Sequence, residues 1–478
     1  MPSEIQNAKD SPAASKPSRF NIIPRNVWLY KTTIIKWGLV GYFIRIAMMP
    51  LFAHADLILN ARMGAILYQN HQLLLSTYPP TVPLIFGSVY ALFSPVLPAS
   101  VLSGLTSNTS FLPTSLFSLY QLSQPDVMIF IFVSKIPYLV IDLALALLLL
   151  RIIDDEKKAL LAFKLWIANP IAIFVSYAMG QFDIIPAFFL VLALYFFKER
   201  KELSSIASLG VCAAVKIFGL LFVPPMILIY LKEHTSLKSR AKRLSLMLIA
   251  GFLPLIISQI FAFLTPVYYE SANTAWPYKS EVNGFFGKTF LSRGEQGNPL
   301  TLGLFHYALD YSISVSLGGN SETLYFLPLV YGLFLLGIFY VKSWSFSRFW
   351  KFSLVFLLTY YALAFFHSQW FVLVLPLLVL LVAEDYHRYF KLYLLLIPLF
   401  FILAWYWNDF LVSVFVPIVH GAYFWPGPHN LLNYFGLPVY PTLSIFRSIF
   451  SSLCIIFILL ILRIDRLFLR DRNQTKSS

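Results

Sequence analysis

An aspartate follows the first long apolar run of the sequence, in the segment His54-Ala55-Asp56. A carboxylate beside an imidazole can act as a general base that deprotonates an acceptor hydroxyl. Aspartate is also a favoured N-cap residue of helices, so the spacing leaves both roles open for Asp56. Arg62 and the corner Tyr78-Pro79-Pro80 come next. One short segment therefore holds a carboxylate, an imidazole and a guanidinium.

Two further polar segments separate apolar runs. Gly180-Gln181-Phe182-Asp183 offers groups that can hydrogen-bond the hydroxyls of a sugar, or satisfy backbone groups in a two-helix hairpin. Lys216 stands between the runs 203–215 and 217–231, where its point charge suits a phosphate. The alternative for Lys216 is a side chain that snorkels to the membrane interface.

The turn His367-Ser368-Gln369-Trp370 adds an imidazole, an amide and an aromatic ring between two other apolar runs. A lone histidine in such a turn is more often structural than catalytic. His367 and Gln369 are therefore candidates for binding a ligand rather than for chemistry.

The composition indicates the environment in which these groups act. Hydrophobic residues make up 58% of the 478 residues and charged residues only 12%, about half the ~25% of a soluble protein. Apolar runs near 20 residues recur, long enough to cross a ~30 Å hydrocarbon core. The net charge of +14 is explained by basic cytoplasmic loops, without a nucleic-acid partner. Cys212 and Cys454 lie in apolar runs and form neither a disulfide framework nor a metal-ligand pattern.

The apolar runs predict an all-α polytopic membrane protein with about twelve transmembrane helices. The run 81–97 is short and contains two prolines, and a crossing there would turn the later basic loops outward. We therefore expect an interfacial helix at 81–97 and both termini in the cytoplasm. The predicted spans are 32–52, 127–150, 159–178, 184–198, 203–216, 217–231, 245–265, 323–341, 352–366, 369–383, 391–407 and 441–463.

This topology divides the chain into a cytoplasmic tail 1–31, a transmembrane domain 32–463 and a basic cytoplasmic tail 464–478. It places three loops outside the cytoplasm, at about 53–126, 266–322 and 408–440. The first loop carries the interfacial helices. Polar residues of both charges gather at the external ends of the spans, which is where a ligand would be bound or transformed.

The order of four motifs resembles the GT-C superfamily of glycosyltransferases that use polyprenyl-phosphate sugars. An aspartate after the first span precedes Tyr-Pro-Pro, an Asn-Pro precedes a polar external turn, Lys-Ile-Phe opens a span, and His-Ser-Gln-Trp-Phe precedes a Leu/Pro-rich span. The likeness is greatest to the GPI mannosyltransferase I (PIG-M-like) branch and its prokaryotic relatives. The motifs are His54-Ala55-Asp56 with Tyr78-Pro79-Pro80, Asn169-Pro170 with Gly180–Asp183, Lys216-Ile217-Phe218, and His367 to Pro376.

The resemblance implies a GT-C-like bundle with an extracytoplasmic active site, and inverting transfer of a hexose, mannose above all, from a dolichyl- or polyprenyl-phosphate donor. The acceptor would be a hydroxyl of a lipid-linked or protein-linked glycan. It further implies that Asp56 is the base, and that Lys216, with Arg62 or Arg293, holds the donor phosphate. The sugar and acceptor would contact His54, Tyr78, Gln181, Asp183, His367 and Gln369.

The branch usually carries two aspartates in the first loop, and here His54 stands at the first of these positions. We therefore expect no obligatory metal cofactor, while use of a divalent ion and a GPI-type acceptor stay open. The membrane would be that of the endoplasmic reticulum in a eukaryote and the cell membrane in a prokaryote. Whether the protein needs a small membrane partner subunit stays open. Two alternatives remain: a transporter or flippase for a polar or lipid-linked solute, and a non-catalytic subunit of a glycan-assembly complex.

Overall fold

The computed structural model describes a largely helical chain. Its described residues are 29–74, 79–107, 124–233, 236–268, 312–317, 320–341, 343–363, 367–407, 411–413, 432 and 434–463. In chain order the helices are α1 Lys31–Met48, α2 Ala55–Asn70, α3 Thr81–Phe93, α4 Ala99–Ser107, α5 Gln124–Ile152, α6 Glu156–Ile167, α7 Pro170–Ile173, α8 Ile184–Lys198, α9 Glu202–Val215, α10 Val223–Lys232, α11 Leu237–Leu264, α12 Phe326–Tyr340, α13 Phe346–Leu363, α14 Leu375–Glu384, α15 Tyr386–Trp407 and α16 Val439–Ile461. A π-helix, Phe174–Met179, extends α7, and the 3-10 helices Ile217–Leu221 and Ser368–Leu373 precede α10 and α14.

Several of these helices can cross a membrane. Among the described residues, four are long and apolar enough: Pro125–Ile152, Leu237–Leu264, Tyr386–Ala404 and Pro441–Ile461. The pair Glu156–Ile167 and Pro170–Met179, bent by 42°, makes a fifth if it is one span. Other apolar helices are only 10–17 residues long. The chain is thus a multi-pass helical membrane protein, and the figure of twelve spans stays a prediction.

The first predicted loop contains helices α2, α3 and α4. Helix α3 has 13 residues and is about 20 Å long, shorter than the ~30 Å hydrocarbon core. It packs closely on α2, because a Cβ at Gly64 would lie 2.3 Å from the Cβ of Phe86. Helix α4 also packs on α2, where Arg62 Nε donates to the Leu105 carbonyl at 3.2 Å. The run 81–97 therefore contains a short helix, Thr81–Phe93, that packs on α2 as its predicted helical character requires, and its interfacial position stays a prediction.

Short strands join the three loops that are predicted to lie outside the cytoplasm. Strand β1 pairs with β6 in antiparallel fashion, which links the first loop to the third. Strand β2 pairs with β3 in parallel, which links the first loop to the second, and β4 and β5 form a hairpin. Because paired strands must be neighbours, the described strands of the three loops lie on the same side of the helices. The strands are β1 Phe52–His54, β2 Leu73–Leu74, β3 Val267–Tyr268, β4 Ser312–Leu317, β5 Asn320–Tyr325 and β6 Leu411–Ser413.

A buried ionic network holds α1 against α5 and α6. The Asp142 carboxylate accepts hydrogen bonds from Arg45 Nε at 2.5 Å, Trp166 Nε1 at 2.6 Å and the Tyr177 hydroxyl at 2.8 Å. Arg45 also donates to the main-chain carbonyl of Ile167 at 2.7 Å. Both charges are fully buried. A carboxylate inside a span is costly unless it is paired and hydrogen-bonded, and this network assigns Asp142 a structural role.

Candidate functional site

Polar side chains from four helix starts meet at one place, which we call the polar cluster. Six of the seven stand next to the residue where a helix begins, at α2, α8 and the 3-10 helices that precede α10 and α14, and Gln181 stands three residues before α8. All of them were candidates from the sequence. The cluster consists of His54, Asp56, Gln181, Asp183, Lys216, His367 and Gln369.

Asp56 presents its carboxylate to two side-chain amides. Its Oδ2 accepts from Gln181 Nε2 at 2.9 Å and from Gln369 Nε2 at 3.4 Å. The N-cap of α2 is His54, whose Nδ1 accepts the Asp56 backbone N–H at 3.1 Å. The alternative that Asp56 caps the helix is therefore wrong, and its carboxylate is available for other partners. Its side chain is 26% exposed, so a ligand can reach it.

His54 is a neutral capping group. Its Nδ1 accepts a backbone hydrogen bond and so carries no proton in this geometry. Burial lowers the pKa of the imidazole, although the neighbouring Asp56 acts in the opposite direction. The 3.5 Å between His54 Nδ1 and Asp56 Oδ2 is thus a contact between a neutral ring and a carboxylate rather than an ion pair. The contact of His54 with sugar stays a prediction.

A tight turn at Gly180 positions Gln181, the residue that follows it. The π-helix ends at Gly180, whose φ is +79°, a value that favours glycine. The Gln181 backbone N–H donates back to the Val175 carbonyl at 3.0 Å. A Cβ at Gly180 would lie 2.6 Å from Leu57 Cδ2 and 2.8 Å from Lys135 Cε. The turn thus needs a glycine both for its backbone and for the space.

The variant Gly180→Ala is expected to unfold more easily for both reasons. Overpacking costs roughly 1–3 kcal/mol, and a left-handed backbone at alanine adds about 1–2 kcal/mol. Thermal unfolding in detergent measures the loss. Gly332→Ala is the matched control, since nothing lies within 4 Å of the Cβ that it adds. Equal melting temperatures for the two variants would contradict the requirement for glycine at position 180.

Lys216 and Asp183 form a buried ion pair. Lys216 has an extended backbone between α9 and the 3-10 helix, and its ammonium also faces the ring of Trp370 at 5.1 Å and that of Phe182 at 5.5 Å. The other carboxylate oxygen of Asp183 is buried and has no hydrogen-bond partner among the described residues. Asp56 is close enough to act electrostatically on both members of the pair. The predicted phosphate-binding lysine thus already holds a carboxylate.

The His367 turn lies beside this pair. The His367 ring is 5.0 Å from that of Trp370. Burial lowers the pKa of His367 to about 4, against the opposing charge of Asp56. At neutral pH His367 is therefore a neutral hydrogen-bonding group. The next residue, Ser368, is buried and its hydroxyl has no hydrogen-bond partner in the part of the chain that the structure describes. It is a further candidate for contacting a ligand, which the sequence analysis did not single out.

Two further residues from the predicted motifs have contacts of their own in the structure, Arg62 and Asn169. Arg62 is buried in α2 and bonds α4 through Leu105, a contact that gives no support to phosphate binding. Tyr78 and Arg293 lie outside the described residues. Asn169 caps α7, where its Oδ1 accepts from the backbone N–H groups of the next two non-proline residues at 3.0 and 3.1 Å. The Asn-Pro motif therefore forms the bend between α6 and α7.

The charges of the cluster determine what it can do. With both histidines neutral, its charged groups are the Asp56 and Asp183 carboxylates and the Lys216 ammonium. The carboxylates lie at the N-terminal ends of α2 and α8, where helix dipoles favour negative charge. The cluster can accept a proton at Asp56 and offer a cation at Lys216. Within the described ranges, no three His, Cys, Asp or Glu side chains form a group that could hold a metal ion.

Comparison with known proteins gives one partial likeness. Residues 90–309, less than half of the chain, match the sequence model of a family described as GPI transamidase subunit PIG-U. No curated protein and no solved structure matches the chain. The matched part includes Gln181, Asp183 and Lys216, whereas Asp56 and the His367 turn lie outside it. The chain is thus similar over this part to a membrane subunit of the GPI transamidase, and not specifically to the GPI mannosyltransferase I branch.

Proposed function

We propose that this protein transfers a hexose, mannose in the first instance, from a dolichyl- or polyprenyl-phosphate donor to a hydroxyl of a glycan or glycolipid. The observation that carries the proposal is the setting of Asp56. Its carboxylate is accessible, is oriented by two amides, and lies beside the ion pair of Lys216. General-base-catalysed transfer of a sugar from a phosphate donor to a hydroxyl requires a proton acceptor and a cation in one place.

The proposed reaction is a single displacement with inversion. The acceptor oxygen attacks the anomeric carbon from the face opposite the phosphate, and its proton passes to Asp56. The bond between the anomeric carbon and the phosphate oxygen breaks, and its electron pair leaves with the polyprenyl phosphate. Lys216 stabilises the charge that develops on this leaving group by exchanging Asp183 for a phosphate oxygen. A single phosphate needs less charge compensation than a diphosphate, so we propose no obligatory metal.

We place the reaction on the extracytoplasmic face. The paired strands β1–β6 and β2–β3 lie on one side of the helices, and the basic loops of the sequence favour the cytoplasm for the other side. Strand β1 ends at His54, so the polar cluster belongs to the side of the paired loops. A donor in the bilayer could bring its sugar phosphate to this level while its isoprenoid chain stays in the lipid.

The partial match favours a second candidate function, a non-catalytic subunit of a membrane complex that binds a GPI glycolipid. The same groups would then bind a sugar or phosphate without proton transfer, and Asp56 would contribute a hydrogen bond only. The matched part contains the Lys216–Asp183 pair, which either function can use.

An assay with purified protein separates these functions. Labelled dolichyl- and undecaprenyl-phosphate mannose and glucose are incubated with lipid-linked glycan acceptors, and products are identified by mass spectrometry. Transfer of a sugar supports the proposal. Tight binding of a GPI glycolipid without transfer from any donor would replace it with the second candidate. Movement of the intact donor across the membrane of proteoliposomes, again without sugar transfer, would favour the flippase function. Substrate sites of transporters are typically built from broken helices.

A further inference from the structure

Lys135 is a fully buried lysine in the middle of α5. Its ammonium shares three N–H donors among four main-chain carbonyls, those of Met49 at 2.9 Å, Phe52 at 2.5 Å, Tyr177 at 2.7 Å and Ala178 at 3.3 Å. These partners are more than 40 residues away in the sequence. One side chain therefore connects three parts of the chain.

The four partners of Lys135 are all main-chain carbonyls. An ammonium without water is costly to bury unless hydrogen bonds satisfy it. Lys216, by comparison, is neutralised by the carboxylate of Asp183. Lys135 instead bonds main-chain carbonyls, so its contacts act directly on backbone position.

The two pairs of carbonyls belong to the segments that carry Asp56 and Gln181. Phe52 starts strand β1, which leads directly into α2 and Asp56. Ala178 lies in the π-helix three residues before Gln181. The side chain also contacts the turn itself, because Lys135 Cε would be 2.8 Å from a Cβ at position 180. Lys135 therefore bonds both segments whose side chains form the hydrogen bond between the Gln181 amide and the Asp56 carboxylate.

We propose that Lys135 is a positioning residue of the polar cluster. Its ammonium fixes the distance between the Asp56 segment and the Gln181 segment, and thereby the orientation of the Asp56 carboxylate toward the acceptor hydroxyl. The proposal rests on the proposed function in so far as Asp56 takes up a proton. Displacements near 1 Å at a reacting group can cost roughly 10²-fold in rate.

The test compares Lys135→Met with Lys232→Met. Lys232 is a matched control because its ammonium also donates to three main-chain carbonyls, at the other end of α10 from the cluster. We expect Lys135→Met to lower kcat for sugar transfer roughly 10²-fold, while KM for the donor changes less than about threefold, because Lys216 and Trp370 remain in place. A kcat equal to that of Lys232→Met, in folded protein, would overturn the proposal.

A second readout needs no activity. Carbodiimides modify accessible carboxyl groups, and the modification of Asp56 is followed by mass spectrometry. Loss of the Gln181 hydrogen bond releases the carboxylate oxygen to the reagent, so Lys135→Met is expected to raise the rate of modification several-fold over wild type and Lys232→Met. Unchanged labelling would refute the positioning role. A raised rate in a protein that transfers no sugar would support it and reject the proposed function alone.

Discussion

Replacing Asp56 with asparagine is expected to abolish sugar transfer in a protein that still folds and binds its donor. Asparagine keeps the size of the side chain and can still hydrogen-bond the Gln181 and Gln369 side chains, but it cannot accept the acceptor's proton. General-base catalysis typically contributes 10²–10⁴-fold, so we expect kcat to fall by about 10³-fold. Single-turnover transfer from labelled donor measures the loss, and equilibrium binding of the same donor shows whether the site is intact.

Asp126→Asn is the matched control for this variant. Asp126 lies in the first turn of α5 and accepts a hydrogen bond from Ser100, outside the polar cluster. It should transfer sugar at the wild-type rate. If Asp56→Asn keeps more than half of the wild-type activity, Asp56 is not the base, and the non-catalytic function becomes the better explanation of the cluster.

Removal of one partner from the Lys216–Asp183 pair is expected to destabilise the protein strongly. Lys216→Met leaves the Asp183 carboxylate buried without a counter-charge, and breaking a buried ion pair in this way costs about 3–5 kcal/mol. Asp183→Leu leaves the ammonium in the same position and should cost a similar amount. The double variant removes both charges and should recover most of the stability. Denaturant unfolding in detergent, analysed as a double-mutant cycle, measures these effects.

Lys351→Met supplies the control for a pair near the surface. Lys351 pairs with Glu384 where both side chains are partly exposed, so its removal should cost less than about 1 kcal/mol. Additive losses in the Lys216 and Asp183 cycle would show that the pair is not coupled. The cycle also separates structure from function, because the double variant should regain stability without regaining affinity for the donor phosphate.

Much of the cluster could be predicted from sequence because its members stand at the ends of apolar runs. Gln181 and Lys216 interrupt long hydrophobic stretches, where polar groups are costly and therefore informative. Which group bonds which depends on tertiary packing. The sequence offered Asp56 as base or cap, and only the structure shows that His54 takes the capping position. In the same way, the sequence indicated a phosphate as the partner of Lys216, whereas in the structure its partner is the carboxylate of Asp183.

The membrane class followed from composition, whereas the number of spans did not. Counting apolar runs assumes that each helix is long enough to cross the bilayer. Helices α9 and α10 have 14 and 10 residues, and a 3-10 helix lies between them. Periodicity and hydropathy are similar for a short helix and for half of a broken one, so these segments cannot be assigned from the sequence. The role of Lys135 could not be predicted either, because its partners are main-chain carbonyls, which any residue supplies and no sequence motif reveals.

The pairing of β1 with β6 has a consequence for biosynthesis. The strand that leads into Asp56 finds its partner at residues 411–413, and Gln369 reaches Asp56 across 313 positions of the chain. During translation, the first helices are therefore inserted long before the groups that complete their polar end have been synthesised. A nascent chain stalled before residue 369 would hold Asp56 and Lys216 in an unfinished pocket, so premature termination anywhere upstream is expected to yield an inactive product that membrane quality control can recognise.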